Sequence, residues 1–545
     1  MTADLVLTGG SIRTMDAARP QAEAVAVRGG HVAAAGSAEE MGGLAGPGTR
    51  VLELDGRTVL PGFQDAHLHP PDGGLTKLAC DLHGAASKEE CLQVVADYAA
   101  GHRDLEWIVG DGWSLDSFPG GTPSRADLDA VVPDRPVFLV NRDGHGAWVN
   151  SRALELAGVG ASTGDPSDGR IERDASGEPQ GTLHEGAIGL VERLVPEPTP
   201  EAWEEGIRLA QAELHALGIT AWQDATVRPE TLAAYRSLAE RGELTMRTEG
   251  NLLWDRSQGD EQVEELVALR ADGSVGRLRI RGAKIFQDGV AENTTAAMLV
   301  PYLGGDGRPT ANRGISMHEA AELARMVTLL DARGFQVHVH AIGDRAVRES
   351  LDAVEAAERA NGRRDARHHF AHLQFVHPDD MPRFRSLGVI ANIQPYWACV
   401  DGYVTDLTIP FVGPGPSAYM YPFGSLRCAG AALAIGSDWT VSTANPLPQI
   451  EVAVKRVSPE ERDAEPLLPG EALDLETALA AFTTGSAYVN FLERETGSLV
   501  PGKLADLVVL DRDLFDPGAG PVGDARVLLT LVEGEAVYAD PALGW

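Results

Sequence analysis

In the stretch PGFQDAHLHP, His67 and His69 stand at i and i+2. On a β-strand this spacing puts both imidazoles on one face, about 7 Å apart along the chain, where they can converge on one ion. Two neutral imidazoles suit zinc. Alone, the pair is as compatible with core or surface histidines as with ligands; its place at the end of an apolar strand, just after Pro61 and Gly62, favours ligands. Four further residues of the same chemistry close other apolar runs: Lys284 in GAKIFQDG, His340 in VHVHAIGD, His372 in HHFAHLQ and Asp438 in AIGSDW. A lone histidine on an apolar strand is more often a satisfied core residue, but four such residues on four strands, beside the HxH pair, are hard to assign to chance.

Lys284 needs its own account. An unpaired ammonium buried in an apolar strand is costly, and a protonated lysine cannot bind a metal. Carboxylation by CO2 removes both difficulties, because the carbamate presents two anionic oxygens able to bridge two divalent ions ~3.5–4 Å apart. The plainer reading is a lysine salt-bridged to Asp288 or Glu292, in which case Asp288 could serve as the carboxylate ligand. Asp438 is the best general base, since a carboxylate touching a metal and its water can pass the water's proton to a leaving amine. Asp65 shares the parity of the HxH pair but lies deeper. His338 shares a face with His340, and His368 with His372, so all three are expected to support ligands.

These residues need strands to carry them. Apolar strand-like runs occur at 58–69, 218–225, 244–254, 279–289, 335–344, 368–375, 388–396 and 432–439, with Ala/Leu/Glu/Arg helical stretches between them that close in glycine. Eight such alternations predict an α/β chain with a distorted (β/α)8 TIM barrel, whose catalytic residues sit at the C-terminal ends of the strands. We expect the barrel in 61–72 and 216–489. Residues 73–215 are too long for a plain βα connection; they read as a large insertion after strand 1, an inserted subdomain over the mouth. The β-rich ends, 1–60 and 490–545, read as two parts of one small β-sandwich.

The charge balance, 80 acidic against 46 basic residues for a net of -34, makes nucleic acid and anionic membrane poor partners. Cys80, Cys91, Cys399 and Cys428 are too few and too dispersed for a disulfide framework or a CxxC knot. With no signal-like start and no bilayer-length apolar run, a cytoplasmic protein is expected.

Taken together, PGFQDAHLHP, KIFQDG, HVHAIGDRA, AHLQF, GSDW and TGSLVPGKLADLVVLD resemble the motif set of the amidohydrolase superfamily, in particular its amidohydrolase-3 branch, which includes N-substituted formamide deformylase. The resemblance implies a divalent metal site, commonly zinc, in a hydrolase. By matching motif, His67 and His69 bind a first metal, His340 and His372 a second, Lys284 bridges them as a carbamate, and Asp438 is base and ligand of the first. One or two ions occur in the branch, two being the expectation for this binuclear metal centre.

GDGWSLDSF and NRDGHGAWVNSRAL resemble segments that approach the mouth in relatives, which makes Trp113, His145 and Trp148 candidate substrate contacts; the alternative is that the aromatics build the insertion's own core. Ser114 stands where relatives often carry an acid. Tyr396 and Trp439, with Trp254, Tyr302 and Trp397, lie near strand ends and would line an apolar pocket, and Arg345 could hold a carboxylate. Asn150 reads as a helix N-cap. The expected activity is hydrolysis of a C–N amide-type bond, in an N-substituted amide or formamide with a hydrophobic or aromatic substituent, by metal-activated hydroxide. The alternatives are an esterase, lactonase or carbamate hydrolase, or a non-catalytic regulatory or binding protein on the same scaffold. The expected partners are a small-molecule substrate and, for assembly, a second copy in a homodimer.

Overall fold

A computed structural model describes residues 2–545. Its centre is a parallel sheet of eight strands in chain order: β1 Phe63–Leu68, β2 Ile219–Val227, β3 Arg247–Leu253, β4 Leu278–Phe286, β5 Gln336–Ala341, β6 His369–His372, β7 Ile390–Ile393 and β8 Ala432–Ile435. Six of the eight lie within the apolar runs read from the sequence; Ile219–Val227 runs two residues past the end of its run and Leu278–Phe286 starts one residue before its own. Each neighbouring pair is parallel, as strand–helix alternation requires. The helices follow the same logic. In Asp344–Asn361 the residues Ala346, Val347, Ser350, Leu351, Ala353, Val354 and Ala357 are buried at helical spacing, which gives the helix one apolar stripe to lay on the sheet.

The sheet nearly closes on itself. Beyond the end of β8 the backbone of Asp438 donates to the His67 carbonyl (2.7 Å), and the His69 N–H donates to the Trp439 carbonyl (2.9 Å). Gly436 makes this approach feasible, because a Cβ there would lie 2.4 Å from the His67 Cβ. The seam between first and last strands therefore runs through HxH and GSDW.

The run 58–69 holds two strands. Thr58–Pro61 pairs with Leu5–Arg13 and Leu507–Leu510, and after Gly62 the chain passes into β1. Thr58–Pro61 is the centre of an eight-stranded sheet drawn from both ends of the chain, in the order Glu535–Ala539, Val527–Val532, Leu507–Leu510, Thr58–Pro61, Leu5–Arg13, Gln21–Arg28, His31–Gly36, with Arg50–Glu53 alongside Leu5–Arg13. Where a sandwich was expected, hydrogen bonding joins these strands into a single sheet. Arg247 of β3 ties it to the barrel through Asp506 (3.1 Å) and Glu533 (2.7 Å).

Between β1 and β2 the chain builds a third sheet of six strands, from Cys80–Asp81 to Pro179–Glu185. Apolar clusters cover both of its faces: Trp113, Phe118, Leu139 and Trp148 in one, Phe138, Ala147, Ile171 and Leu183 in the other. Asn150 caps the helix Ser151–Ala157 by accepting from Ala153 N–H. Among the described residues no helix is long and apolar enough to cross a membrane.

Candidate metal centre

The site is assembled on the seam. His67 Nε2 lies 3.1 Å and His69 Nε2 3.2 Å from Asp438 Oδ1, and His372 Nδ1 lies 3.8 Å from Asp438 Oδ2. The ligating atoms of His67, His69 and Asp438 all fall within 4.8 Å of one another. The other imidazoles pack around them: the His67 ring lies edge to face with that of His372 at 4.8 Å, and the His372 ring is 4.5 Å from the tilted ring of His340.

What these atoms lack is as informative as where they stand. His67 Nε2, His372 Nδ1, Asp438 Oδ1 and Lys284 Nζ are all buried without a hydrogen-bond partner. Buried polar groups are paired in the great majority of cases, so four orphans in one place call for a common explanation. Donors around a tetrahedral divalent ion at ~2.0–2.1 Å stand ~3.3 Å apart, close to the observed 3.1 and 3.2 Å. The donor set, imidazole nitrogens and a carboxylate, suits zinc.

Surrounding groups hold the imidazoles in the required state. His67 Nδ1 is 2.7 Å from His338 Nε2, which commits Nδ1 to His338 and leaves Nε2 toward Asp438. Burial, with the charge of Lys284, lowers the His67 pKa to about 3, so the ring is neutral. His340 Nδ1 lies 3.2 Å from Asp288 Oδ1, while Asp288 accepts backbone N–H groups of Ala297, Ile342 and Gly343. Burial raises Asp288 to about 7, partly offset by those bonds. Asp65 accepts from the backbone of His67 and Ser437 and so ties the two halves of the seam together. Burial alone would raise Asp438, but His67, His69 and His372 outweigh it and hold its carboxyl well below the ordinary range.

Lys284 is fully buried and pairs with neither Asp288 nor Glu292. Asp288 is occupied as described, and Glu292 accepts from Gln374 and Thr408. Burial lowers the lysine to about 7, with Asp438 and Asp224 pulling the other way. Burial thus shifts the amine toward its neutral form, the form that reacts with CO2.

The model of the Amidohydrolase family matches residues 50–538. The chain belongs to the amidohydrolase family. Protein LONG AFTER FAR-RED 3 of Arabidopsis thaliana is 33% identical over 99% of this chain and 92% of its own length. N-substituted formamide deformylase of Arthrobacter pascens is 29% identical over 98% of each chain. Among solved structures, a metal-dependent hydrolase from Pyrococcus furiosus superposes with a TM-score of 0.71 at 28% identity, covering 93% of this amidohydrolase and 99% of that chain.

The amidohydrolase brings His67, His69, Lys284, His340, His372 and Asp438 together, and His145 with them: its ring is 5.1 Å from that of His340. Trp113 and Trp148 are placed elsewhere, in the insertion's own core. Their indole N–H groups are satisfied by the carbonyls of Leu139 and Ser124, and both rings pack on Phe118. Trp397 lies parallel to His372 at 5.4 Å, and Trp439 adjoins His69 through the seam. The Tyr396 hydroxyl donates to Glu460, and Arg345 donates to the carbonyls of Arg313 and Gly314. Trp254 and Tyr302 are buried.

His368 does not support His372. Its Nε2 pairs with Asp331 (3.1 Å) and its Nδ1 accepts from Val337 N–H. The reason is local: His372 has φ +79° and Leu373 φ +51°, so the pleat does not continue to the strand end and side-chain alternation fails there. His369 takes the expected place, 3.9 Å from the His338 ring. Glu185 is the residue that sequence reasoning missed. It comes from the insertion, with φ +51°, and its carboxylate bonds His145 Nδ1 at 2.9 Å. One acid among 80, far from the barrel motifs, carries no signal of its own.

Proposed function

We propose that this amidohydrolase hydrolyses the C–N bond of a small N-substituted amide or formamide, and that it does so with divalent metal, zinc in the first instance, held by His67, His69, His340, His372, Asp438 and a carbamate of Lys284. The observation that carries this reading is the convergence of orphaned donors on Asp438 beside a buried Lys284 whose Nζ has no hydrogen-bond partner. Two ions are favoured, because a carbamate would add two anionic oxygens to the imidazoles and carboxylate already there. Carbamate formation joins the lysine nitrogen to CO2 and releases one proton, leaving an anion where the structure has an unmatched amine. When bound, the metal supplies Lewis acidity and acidifies water to a pKa of ~7.

The chain supplies the rest. Asp438 stays ionised and is held between His67, His69 and His372; it takes the proton from the attacking water and returns it to the departing nitrogen. His338 and Asp288 fix the His67 and His340 rings, so the imidazoles need not reorganise during reaction. Trp397, stacked on His372, offers a flat apolar wall beside the ligands, which favours an aromatic or hydrophobic substituent on the nitrogen. The name of the deformylase relative agrees with that substrate class.

The test is turnover by zinc- or manganese-reconstituted full-length enzyme across a matched panel of N-aryl and N-alkyl formamides, anilides, aryl esters, lactones and carbamates. Amides and formamides should lead in kcat/KM. Turnover confined to esters or lactones would overturn the amide assignment, and no bound divalent metal under any condition would overturn the hydrolase itself.

A further inference from the structure

Strand β7 holds none of the six residues proposed as metal ligands, yet Asn392 and Gln394 stand on it at i and i+2, sharing one face, and both are fully buried. Their hydrogen bonds run in series. Asn392 Nδ2 donates to the Ala66 carbonyl (2.8 Å) and stands 3.2 Å from His369 Nδ1. Gln394 Nε2 donates to Asn392 Oδ1 (3.1 Å), and Gln394 Oε1 accepts the backbone N–H of His372 at 2.6 Å. The two ends of the series fix its direction. A carbonyl only accepts and a backbone N–H only donates, so neither amide can be turned over without losing a bond.

The series joins places that the sheet does not. β7 pairs with β6 and β8, whereas Ala66 lies on β1, between Asp65 and His67. Asn392 therefore ties the HxH strand directly to β7, bypassing β8. At the other end, Gln394 holds the backbone of His372 where that residue has φ +79°. A residue with a Cβ rarely adopts this conformation, and it persists only where the surroundings impose it. Trp397, three residues after Gln394, lies parallel to the His372 ring at 5.4 Å. His372 is thus held from the end of β7 on two sides, its N–H by an amide and its ring by an indole.

We infer that Asn392 and Gln394 are positioning residues for the metal centre: acting together, they fix the His372 imidazole relative to His67 and His69 and so set the spacing between the two sides of the donor set. They act only through the backbones of His372 and β1. This inference rests on the metal-dependent hydrolase reading and gives a part in it to a strand that contributes no ligand. Freed from Gln394, the His372 backbone relaxes toward the ordinary pleat and its imidazole swings away from Asp438. A donor that can swing must be ordered when the ion binds, and groups one bond removed from a ligand are worth about 10-fold to 100-fold in metal affinity for that reason.

The experiment uses full-length, metal-stripped protein and compares wild type with Gln394→Met, Asn392→Leu, the double variant and Gln336→Met. Gln336 is another buried amide, on β5; it accepts from Gln223 and donates to the carbonyls of Arg367 and Val489. Its loss measures what removing buried amide bonds elsewhere in the barrel does. Two readouts need no turnover. Hydrogen exchange on metal-free protein, read by mass spectrometry, should rise about 10-fold in the peptide containing His372 in Gln394→Met and stay at the wild-type rate there in Gln336→Met. Titration with cobalt(II), followed by its visible absorption, should show affinity weakened about 10-fold to 100-fold in Gln394→Met and in Asn392→Leu, with an altered spectrum, and wild-type affinity in Gln336→Met. The double variant should lose no more than the weaker-binding single variant, because the two amides act in series. Equal weakening in Gln336→Met, additive losses in the double variant, unchanged exchange at His372 in Gln394→Met, or no cobalt binding by wild type would each overturn the inference. Should Gln394→Met not fold, Asn392→Leu decides by the same two readouts. Turnover separates this inference from the reading beneath it. If the cobalt and exchange differences appear but wild type cleaves no amide or ester, the hydrolase reading fails and the positioning role stands; if wild type cleaves amides and Gln394→Met binds cobalt as wild type does, the reverse holds.

Discussion

Two histidine–aspartate arrangements on the same barrel differ in one respect. At its C-terminal end, His67 and His69 approach Asp438 at 3.1 and 3.2 Å, yet His67 Nε2 and Asp438 Oδ1 have no hydrogen-bond partner. Toward the N-terminal end of β6, His368 approaches Asp331 at 3.1 Å and every polar atom is satisfied: Asp331 also takes Arg364 and Asn361, and His368 takes Val337 N–H. Distances alone do not separate them. Saturation does: the paired group is finished as structure, whereas the unpaired cluster is complete only with something added.

The sharpest way to break the comparison is to neutralise each aspartate. Asp438→Asn keeps the shape of the cluster but removes the group proposed to take the proton. Turnover should fall at least about 1000-fold, while far-UV circular dichroism and Tm remain close to wild type. Retention of more than about a tenth of wild-type kcat would remove Asp438 from the role of base.

Lys284→Met is expected to have the next largest effect, and its two readouts move in opposite directions. Without the amine no carbamate forms, so bound metal per chain should drop and kcat fall about 100-fold. The metal-free protein, by contrast, should be more stable than metal-free wild type, because an apolar side chain of similar volume replaces an unpaired buried amine. Elemental analysis and differential scanning calorimetry on chelated protein read the two effects separately. A lower Tm in metal-free Lys284→Met would show that the ammonium is paired after all.

Much of this was legible before the structure. The six residues proposed as metal ligands are short motifs at the ends of apolar runs, and a parallel barrel leaves few other ways to place them. Legibility fails where the backbone departs from the pleat. Glu185, His372 and Asp438 all have positive φ, which aims each side chain where strand alternation does not; hence His369 rather than His368 lies beneath the cluster. It fails again for the insertion's tryptophans, because a Trp in an apolar strand looks the same whether it faces a pocket or a core, and only the carbonyls of Leu139 and Ser124 decide. Closure at the seam was likewise hidden, since the bonds between HxH and GSDW lie beyond the last regular strand residue.

Asp331→Asn tests the saturated arrangement and is expected to have the smallest effect on activity. Burial alone would raise the Asp331 carboxyl, but bonds from His368, Arg364 and Asn361 outweigh it and hold the group well below the ordinary carboxylate range. A depressed folded-state pKa means the folded form binds fewer protons than the unfolded form. Its stabilisation is therefore full above the unfolded value of ~4 and is lost as pH falls below it. At pH 7 the substitution should cost about 2–3 kcal/mol, as expected when a carboxylate is removed from a network of charged donors. Below pH 4 the gap in Tm between wild type and Asp331→Asn should narrow, as the unfolded wild-type chain takes up a proton that the folded carboxylate does not. Metal content and kcat per folded molecule should not change. A fall in either would mean that the His368 side of the barrel is coupled to the cluster, and saturation would then no longer distinguish structure from site.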